Sequence, residues 1–346
     1  MANAKIQGKI LLDYGSGGRA SHRLVNELFL AHFNNPFLAA MNDAALLDIK
    51  GPVAVSTDSF TVDPIFFPGG DIGSLAVHGT VNDVAMLGAR PLYLTCGFII
   101  EEGLDFEVLE RIVVSMAAAA KEAGVVIVAG DTKVVNKGAA DKIFINTTGI
   151  GEVITTPPPS GHRAAVGDAI LLTGSMGDHG LAVLAQREQL SFSTQVKSDA
   201  ASLNRLVERL MLEVGDIHVL RDPTRGGLGT TLNEIAAQSG VALLVEEDKI
   251  PVSAAVAAGC SFLGLDPLYL ANEGKFICIL PEEKALAALA VLRSDPLGVQ
   301  ACRVGEVTAP AGTGTVGRAG QVVMKTRLGG HRLLNMLEGE QLPRIC

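Results

Sequence analysis

The chain has no tryptophan, and aromatic residues make up only 4% of its 346 residues. No run of 18 or more apolar residues occurs, so no membrane-spanning helix is expected. The sequence also lacks a basic run and carries a net charge of −9, which argues against a nucleic-acid-binding protein. Residues 1–5 lack the apolar core of a signal peptide, and a cytoplasmic protein is therefore predicted.

Cysteine is scarce as well, with five residues, an odd number, and no C-x-x-C pair. A disulfide framework or a structural zinc site is therefore not expected. Four of the cysteines lie in apolar or mixed segments and are interpreted as small core residues: Cys96, Cys260, Cys278 and Cys302. Cys346 differs from them because it is the last residue of the sequence.

Apolar residues make up 48% of the chain, which is enough to bury a large core. Helix and strand patterns alternate without a strict βαβ rhythm, and this predicts two α+β domains. The segment Thr-Thr-Pro-Pro-Pro-Ser-Gly at 155–161 breaks both kinds of element, because proline interrupts helices and central strands. The predicted division is a domain at 1–156, a second at 157–326 and a mobile tail at 327–346.

Apolar spacing predicts the individual elements. The predicted helices cover 74–87, 106–123, 179–188, 200–213, 227–238 and 282–293, and the predicted strands cover 53–57, 125–129, 142–153, 168–173, 241–246, 275–280, 301–307 and 314–325. Gly124 and Gly240 are expected to end two of the helices. In the first helix, His78 and Asn82 fall outside the apolar stripe. The leucines near 333–337 predict one or two helical turns in the tail.

Phosphate-binding sequence patterns are mostly missing. No segment matches the Walker A loop, and the Gly-x-Gly-x-x-Gly at 312–317 opens no helix, so it is interpreted as a hairpin loop. The segment Gly-Ser-Gly-Gly-Arg at 15–19 is a candidate anion-binding loop through Gly17 and Gly18, or else a flexible turn.

Carboxylates in small-residue segments are the stronger signal. Apolar runs lead directly into two of the five, which are Asp43, Asp58, Asp83, Asp131 and Asp222. Converging carboxylates repel unless a cation lies among them, and oxygen ligands suit Mg²⁺ held partly by nucleotide phosphates. Lys133 and Arg225 are placed to meet phosphate oxygens. The alternative is that each aspartate is a helix cap or turn residue.

Two further residues have a functional and a structural interpretation. His78 contacts a phosphate or a metal, or it is a hydrogen-bonded packing residue of its helix. Glu273 is an acid–base group, or an ordinary turn residue before a buried strand.

The sequence resembles the HypE family of hydrogenase maturation factors. The resemblance rests on motifs that span nearly the whole chain: Leu11 to Arg19, Asn-Asp-Ala-Ala at 42–45, Ser-Thr-Asp-Ser-Phe at 56–60, His-Gly-Thr-Val-Asn-Asp-Val at 78–84, Ala-Gly-Asp-Thr-Lys at 129–133, Gly-Asp-His-Gly at 177–180, Asp-Pro-Thr-Arg-Gly-Gly at 222–227 and Asn-Glu-Gly-Lys at 272–275. The terminal Pro-Arg-Ile-Cys at 343–346 is the specific part. Single motifs are shared with aminoimidazole ribonucleotide synthetase, selenophosphate synthetase and thiamine-phosphate kinase.

The resemblance implies a homodimer that binds ATP near the first domain's sheet and the dimer contact. It implies that HypF carbamoylates the terminal cysteine, that ATP drives dehydration of this group to a thiocyanate, and that the cyano group passes to iron on a HypC–HypD complex for a [NiFe]-hydrogenase. The implied nucleotide-binding residues are Gly17, Gly18, Asp58, His78, Asn82, Asp83, Asp131, Lys133 and Arg225. Mg²⁺ is expected on Asp43, Asp58, Asp83, Asp131 and Asp222. The expected catalytic residues are Cys346 as carrier, Lys133 as charge stabiliser and Glu273 as base.

Two other functions stay open at this point. The first is a small-molecule kinase or synthetase of the same superfamily, which needs no terminal cysteine. Among these enzymes, the selenophosphate synthetases carry a reactive cysteine or selenocysteine near the N-terminus, whereas the first cysteine here is Cys96. A non-catalytic nucleotide-binding scaffold that docks partners through its tail is the third possibility. ATP turnover that depends on Cys346 separates the dehydratase from both.

Overall fold

A computed structural model of the chain describes residues 8–16, 18–42, 44–190, 195–310, 317–339 and 342–346. The α-helices are α1 (Arg19–Leu24), α2 (Leu30–Phe33), α3 (Pro36–Ala39), α4 (Ile72–Met86), α5 (Phe106–Ala123), α6 (Asp178–Arg187), α7 (Asn204–Glu213), α8 (Gly227–Ser239), α9 (Ala254–Leu263) and α10 (Ala285–Arg293). The strands are β1 (Val53–Phe60), β2 (Phe66–Phe67), β3 (Gly70–Asp71), β4 (Ala89–Glu101), β5 (Val126–Val135), β6 (Ile143–Val153), β7 (Asp168–Leu172), β8 (Val219–Arg221), β9 (Ala242–Glu246), β10 (Ile277–Pro281), β11 (Cys302–Thr308), β12 (Val322–Lys325) and β13 (His331–Leu333). None of these helices is long and apolar enough to cross a membrane.

The first sheet has four strands in the order β1–β6–β4–β5. The pairs β1/β6 and β6/β4 are antiparallel, and β4/β5 is parallel. Across the middle of the sheet, Asp58 pairs with Thr147, Thr147 with Cys96, and Cys96 with Gly130. Because neighbouring strands lie about 4.8 Å apart, the β1 and β5 edges are separated by about 14 Å.

Helices α4 and α5 pack on one face of this sheet. Helix α4 begins at a capping box, in which Asp71 accepts from the Gly73 and Ser74 backbone N–H groups at 2.8 and 3.0 Å. Thirteen of its residues are buried, because the sheet lies on one side and α5 and α7 lie on others. His78 and Asn82 lie off the predicted apolar stripe, but both of them are buried as well. Helix α5 ends as predicted at Gly124, whose φ of 77° favours glycine.

The second sheet has seven strands in the order β13–β12–β9–β11–β7–β10–β8. The β12/β9 pair is parallel and the other five pairs are antiparallel. All residues of the central strand β7 are buried, since Ile170 and Leu172 pack with α8 while Ala169 and Leu171 pack with α7 and α10. The two sheets with their helices confirm the predicted α+β class.

The two halves of the chain are in direct contact through α4 and α7. Ala85 and Met86 of α4 pack against Leu206 and Leu210 of α7. The Pro-rich segment at 155–161 lies between β6 and β7, the last strand of one sheet and the first of the other. The predicted boundary between residues 156 and 157 falls in this segment and stays a prediction.

The segment predicted as a mobile tail has ordered contacts at both of its ends. Residues 331–333 form the edge strand β13 on β12, and Leu334 is buried, so the predicted helical turns in this region are wrong. At the other end, Ile345 is 5% exposed and packs into the core of the first half. The leucines of this segment are compatible with a helical turn or with a strand. Pairing with β12 favours the strand.

Candidate functional site

Four acidic side chains lie together where the two halves meet. Asp58 lies on β1, Asp83 on α4, Asp222 directly after β8, and Glu273 between α9 and β10. The Asp58 carboxyl is hydrogen-bonded to Asp83, and the Ser56 hydroxyl donates to the Asp83 Oδ2 atom at 2.7 Å. The first-half sheet and helix therefore supply two of the carboxylates, and loops of the second half supply the other two.

Burial and mutual repulsion raise the pKa values of three carboxyls in this acidic cluster. Burial and the charge of Asp83 raise the pKa of Asp58 from 3.8 to about 6. Burial, with the charges of Asp83 and Asp58, raises the pKa of Asp222 to about 7. Glu273 is buried, and its pKa lies well above the ordinary value because of burial and the surrounding carboxylates. A positive charge that enters the cluster would offset this repulsion and favour the ionised carboxylates.

The backbone around Glu273 is fixed by Asp199, a residue that the sequence patterns did not indicate. The Asp199 carboxylate accepts from the N–H groups of Glu273 and Gly274 at 3.1 and 3.2 Å, and forms an ion pair with Lys275 at 3.3 Å. A Cβ atom on Gly274 would lie 1.8 Å from the Asp199 carbonyl oxygen, so only glycine fits this approach. The close approach of the Asp199 backbone therefore explains why glycine occupies position 274 in the Asn-Glu-Gly-Lys motif.

Few protein ligands are needed for a magnesium ion that is bound together with a nucleotide. Within the described ranges, no group of three or more His, Cys, Asp or Glu side chains is arranged to hold a metal ion. Magnesium in nucleotide sites needs only one or two carboxylates, with phosphates and water as the other ligands. The hydrogen-bonded pair Asp58 and Asp83 fits that requirement, since two adjacent carboxylates repel each other and favour a cation between them.

A second group of predicted residues lies at the β5 edge of the first sheet. Lys133 forms an ion pair with both oxygens of Asp131 at 2.8 and 2.9 Å, and both side chains are more than 60% exposed. The hydrogen bond from Lys133 lowers the pKa of Asp131. Gly15 lies against the same edge, because a Cβ there would come within 2.4 Å of the Val134 nitrogen. These residues, except Val134, border a cavity of about 360 Å³ lined mainly by apolar side chains.

The structure divides the predicted carboxylate set between two edges of the first sheet within one chain. Asp58 and Asp83 lie at the β1 edge and Asp131 at the β5 edge, about 14 Å away across the sheet. Asp43 and Gly17 lie outside the described residues, as do most of the positions of the predicted 312–317 loop. Gly18 is exposed and precedes α1. The roles of these residues in nucleotide or metal binding stay predictions.

Two predicted nucleotide-binding side chains form structural hydrogen bonds instead. His78 is buried, its Nδ1 lies 2.7 Å from the Ser202 hydroxyl, and burial lowers its pKa to about 4. Asn82 donates to the carbonyls of Ala201 and Glu273 at 3.0 and 3.2 Å. Its Oδ1 accepts from the Leu203 N–H at 2.8 Å. The structure supports the packing alternative for His78 and makes Asn82 a link between the halves.

Cys346 lies in a cavity between segments that also carry residues of the acidic cluster. It lines a cavity of about 210 Å³ together with Ser59, Arg225 and Ala271. Ser59 follows Asp58 and Ala271 precedes Glu273 by two residues, so the elements that carry the cluster also surround the cysteine. Arg225 lines this cavity, and its positive charge lowers the pKa of Asp58. The other cysteines are buried or, for Cys302, half-buried, in agreement with their predicted core positions.

The chain matches two domain families along its length. The description "AIR synthase related protein, N-terminal domain" matches residues 41–153, and "AIR synthase related protein, C-terminal domain" matches 165–317. This two-domain class agrees with the two sheets and with the acidic cluster between them. Solved thiamine-monophosphate kinases share the fold, as shown by a TM-score of 0.64 at 21% identity.

Closer similarities define the family within this class. "Carbamoyl dehydratase HypE" of Cupriavidus necator is 52% identical over 98% of this chain and 95% of its own length. The crystal structure of the hydrogenase maturation protein HypE in complex with ATP is 70% identical, with a TM-score of 0.94, and covers 97% of this chain and 99% of that one. A HypE–HypF complex is 49% identical, with a TM-score of 0.79, covering 91% of this chain and 99% of that chain. The chain belongs to the HypE family of hydrogenase maturation proteins.

Proposed function

We propose that this protein dehydrates an S-carbamoyl group on Cys346 to a thiocyanate in a reaction driven by ATP. The observation that carries the proposal is the position of Cys346 in a cavity with Arg225, lined also by Ser59 and Ala271 from the two segments that carry Asp58 and Glu273. The relatives named carbamoyl dehydratase and the similar protein crystallised with ATP support it. A small-molecule kinase of the same fold has no use for a cysteine held at this place.

The proposed chemistry converts a poor leaving group into a good one. The carbamoyl oxygen attacks the γ-phosphorus of ATP, so that a C–O–P linkage forms and the bond to ADP breaks. Phosphate then leaves while the nitrogen loses both protons, and a carbon–nitrogen triple bond forms on the Cys346 sulfur. The products are the thiocyanate, ADP and phosphate. Such phosphoryl transfer depends mainly on positioning and on charge stabilisation.

Glu273 is the proposed base for the N–H protons. Burial and the surrounding carboxylates raise its pKa in this cluster. Positive charge near Asp222 and Asp58 would remove much of this repulsion and allow Glu273 to ionise. A carboxylate whose pKa has been raised accepts a proton more readily than an ordinary one. Burial therefore favours Glu273 as the base once positive charge in the site offsets the surrounding carboxylates.

Mg²⁺ is proposed to bind the Asp58–Asp83 pair together with the nucleotide phosphates. Bound there, it would supply charge neutralisation for the phosphates. Asp222 lies near enough for both carboxylates to raise its pKa, and it is the third candidate ligand. Calorimetric titration of ATP into Asp83→Asn, with and without Mg²⁺, tests this role. Metal-dependent binding that equals that of the unmodified protein would remove the pair from the metal site.

We propose a homodimer that joins the two groups of site residues. On the face of the first sheet opposite α4, Val53, Val55 and Ile99 are 46%, 64% and 45% exposed. Exposed apolar side chains on a sheet face favour packing against a second copy. A two-fold axis parallel to the strands would place the β5 edge of one subunit, with Lys133, opposite the β1 edge of the other. Lys133 would then support the charge that develops at a nucleotide bound between the subunits.

Subunit complementation tests this shared site. A dimer that combines a Lys133→Ala subunit with an Asp83→Asn subunit retains one intact site if residues come from both chains. Each homodimeric variant would be inactive, whereas the mixed dimer would recover up to half the activity of the unmodified protein. Mixed dimers as inactive as the two parents would show that each site lies within one subunit.

The proposed partners follow from the two ends of the reaction. HypF, which forms a complex with a HypE of 49% identity, is the proposed carbamoyl donor, and a HypC–HypD complex is the proposed acceptor of the cyano group. We propose that these steps take place in the cytoplasm, with the tail acting as an arm. Because β13 anchors the chain at Leu333, the 13 residue steps to Cys346 reach about 40 Å rather than the roughly 60 Å expected from an arm that begins at Arg327.

The mass of the C-terminal peptide tests the proposed reaction directly. Incubation with the carbamoyl donor should add one carbamoyl group to Cys346, and subsequent addition of Mg·ATP should remove the mass of one water. ATP without the donor should leave the peptide unchanged. ATP hydrolysis at full rate without any change at Cys346 would contradict the proposal and favour a superfamily kinase.

A further inference from the structure

The last residues of the chain are bound through their main-chain atoms. The Thr61 N–H donates to the Cys346 carbonyl oxygen at 3.0 Å, and the Asp63 N–H donates to the Arg344 carbonyl at 3.2 Å. The tail end therefore runs antiparallel to residues 61–63, like an added strand. Side chains of the tail contribute through Arg344, whose Nε donates to the Thr61 carbonyl at 2.8 Å.

Arg187, at the end of α6, contacts both of these segments. Its guanidinium donates to the carbonyl of Asp63 at 2.7 Å, to that of Pro343 at 2.8 Å and to that of Arg344 at 2.6 Å. In the part of the chain that the structure describes, Arg187 forms no salt bridge. Two of these hydrogen bonds join α6 to the tail, and the third joins α6 to the segment with which the tail pairs. A planar fork of donors is needed to reach three carbonyls at once.

His179, near the beginning of the same helix, contacts Ile345, the residue between Arg344 and Cys346. It is fully buried, with its Nε2 2.8 Å from the Ile345 carbonyl oxygen and its Nδ1 2.8 Å from the Ser198 hydroxyl. Because a carbonyl oxygen only accepts, Nε2 carries the proton and Nδ1 accepts from Ser198. Burial lowers the pKa of His179 and so maintains this neutral form.

We propose that Arg187 and His179 form a latch that binds the main chain of residues 343–345 and thereby sets the position of Cys346. The latch makes both residues positioning residues, since they contact the carrier arm and none of the reacting atoms. Its contacts are to carbonyl groups, so they are independent of whether the cysteine carries a thiol, a carbamoyl group or a thiocyanate. The role of the latch in dehydration rests on the proposed function. The binding of the tail by Arg187 and His179 does not depend on that function.

The latch predicts opposite effects on the two halves of the proposed reaction. Carbamoyl loading needs the arm to leave the cavity, so a weaker latch should speed loading by HypF. Dehydration needs the arm to be seated, so a weaker latch should slow it without changing the affinity for ATP. A general loss of structure would instead reduce loading, dehydration and ATP binding together.

Alkylation of Cys346 by iodoacetamide measures the latch without any partner. After quenching, the peptide released by Glu-C at the end of the chain reports the reaction of Cys346 separately from the other cysteines. Rates are compared without nucleotide and with Mg·ATP. We expect Arg187→Ala and Arg187→Lys to raise the rate at least tenfold in one or both states, which corresponds to about 1.4 kcal/mol. Lysine fails to rescue because one ammonium cannot span three carbonyls.

Matched variants distinguish the latch from a general loosening. Arg209→Ala removes an exposed arginine of α7 that bonds Ser294 and Glu213, and it should leave the Cys346 rate unchanged. His179→Gln can retain a donor towards Ile345, whereas His179→Asn is too short, so only the latter should raise the rate. If the variants of the buried His179 do not fold, the alkylation rates of the half-exposed Arg187 variants still test the latch.

Equal alkylation rates for the unmodified protein and both Arg187 variants, in both nucleotide states, would overturn the latch. If the rates rise as expected but the unmodified protein forms no thiocyanate, the latch stands and the proposed function fails. If thiocyanate forms at the normal rate in Arg187→Ala despite faster alkylation, the latch binds the tail but has no role in positioning Cys346 for dehydration, and that part of the proposal is wrong.

Discussion

Replacement of Asp58 by asparagine should make the protein more stable at neutral pH while removing a proposed metal ligand. In the native structure Asp58 is half-buried next to Asp83, and these surroundings raise its pKa from 3.8 to about 6. The native state therefore binds this proton more tightly than the unfolded chain, and stability falls as the pH rises from about 4 to about 6. Asparagine carries no charge and can donate to Asp83 as the protonated carboxyl does.

The size of the effect follows from the pKa difference. The whole difference between 3.8 and about 6 is equivalent to roughly 3 kcal/mol. Because Asp58 is only half-buried, solvent screening reduces this, and we expect Asp58→Asn to gain about 1–2 kcal/mol at pH 7.5. Linkage leaves about one third of the gain at pH 4.5, where most native Asp58 is already protonated.

Urea unfolding at pH 7.5 and pH 4.5, in EDTA and without nucleotide, measures this gain. Asp131→Asn is the matched control, because Asp131 is exposed, ion-paired with Lys133 and has a lowered pKa. That variant should change stability by less than about 0.5 kcal/mol, towards lower stability. An Asp58→Asn variant that is no more stable than the unmodified protein at pH 7.5, or that gains equally at both pH values, would refute the reasoning.

Four further predictions follow from the site. Cys346→Ala should abolish thiocyanate formation and leave ATP affinity, measured by calorimetry, unchanged within twofold. Adding one residue after Cys346 should nearly abolish the product as well, because the chain end is paired with residues 61–63. Lys133→Ala and Glu273→Gln should still accept the carbamoyl group but slow dehydration at least a hundredfold, and a normal rate in either by peptide mass would remove its catalytic role. Val55→Glu should convert the dimer to a monomer at micromolar concentration in sedimentation, whereas an unmodified protein that is already monomeric would contradict the dimer. Removal of Mg²⁺ by EDTA should weaken ATP binding at least tenfold in the unmodified protein and much less in Asp83→Asn.

Local patterns predicted most of the elements correctly, and the exceptions have physical explanations. The predicted helix at 106–123 and its stop at Gly124 coincide with α5, because an amphipathic stripe and a C-terminal glycine are local signals. The longest strand, β4, was missed since Pro91 and Gly97 disfavour a central strand. Pro91 is accommodated at a register shift between it and Tyr93, where a missing N–H is tolerated.

The candidate site was predictable in its residue types but less so in its arrangement. Asp58, Asp83 and Asp222 of the predicted carboxylate set come together with Glu273, although Asp58 and Asp83 lie within β1 and α4 rather than at their ends. Asp199 was missed, because its role consists of hydrogen bonds to a backbone that is distant in the sequence. No local pattern distinguishes such a residue from an ordinary surface aspartate.

The sequence by itself determined the α+β class, the positions of most helices and the cysteine at the end of a family-specific motif. These properties depend on residue type, on spacing within one element or on one short segment. The tertiary structure alone decided that Asp131 and Lys133 lie across the sheet from Asp58, and that the tail is seated through Arg187. Strand order and contacts between the halves join residues far apart in the chain, and the energy of those contacts depends on burial and geometry that exist only after folding.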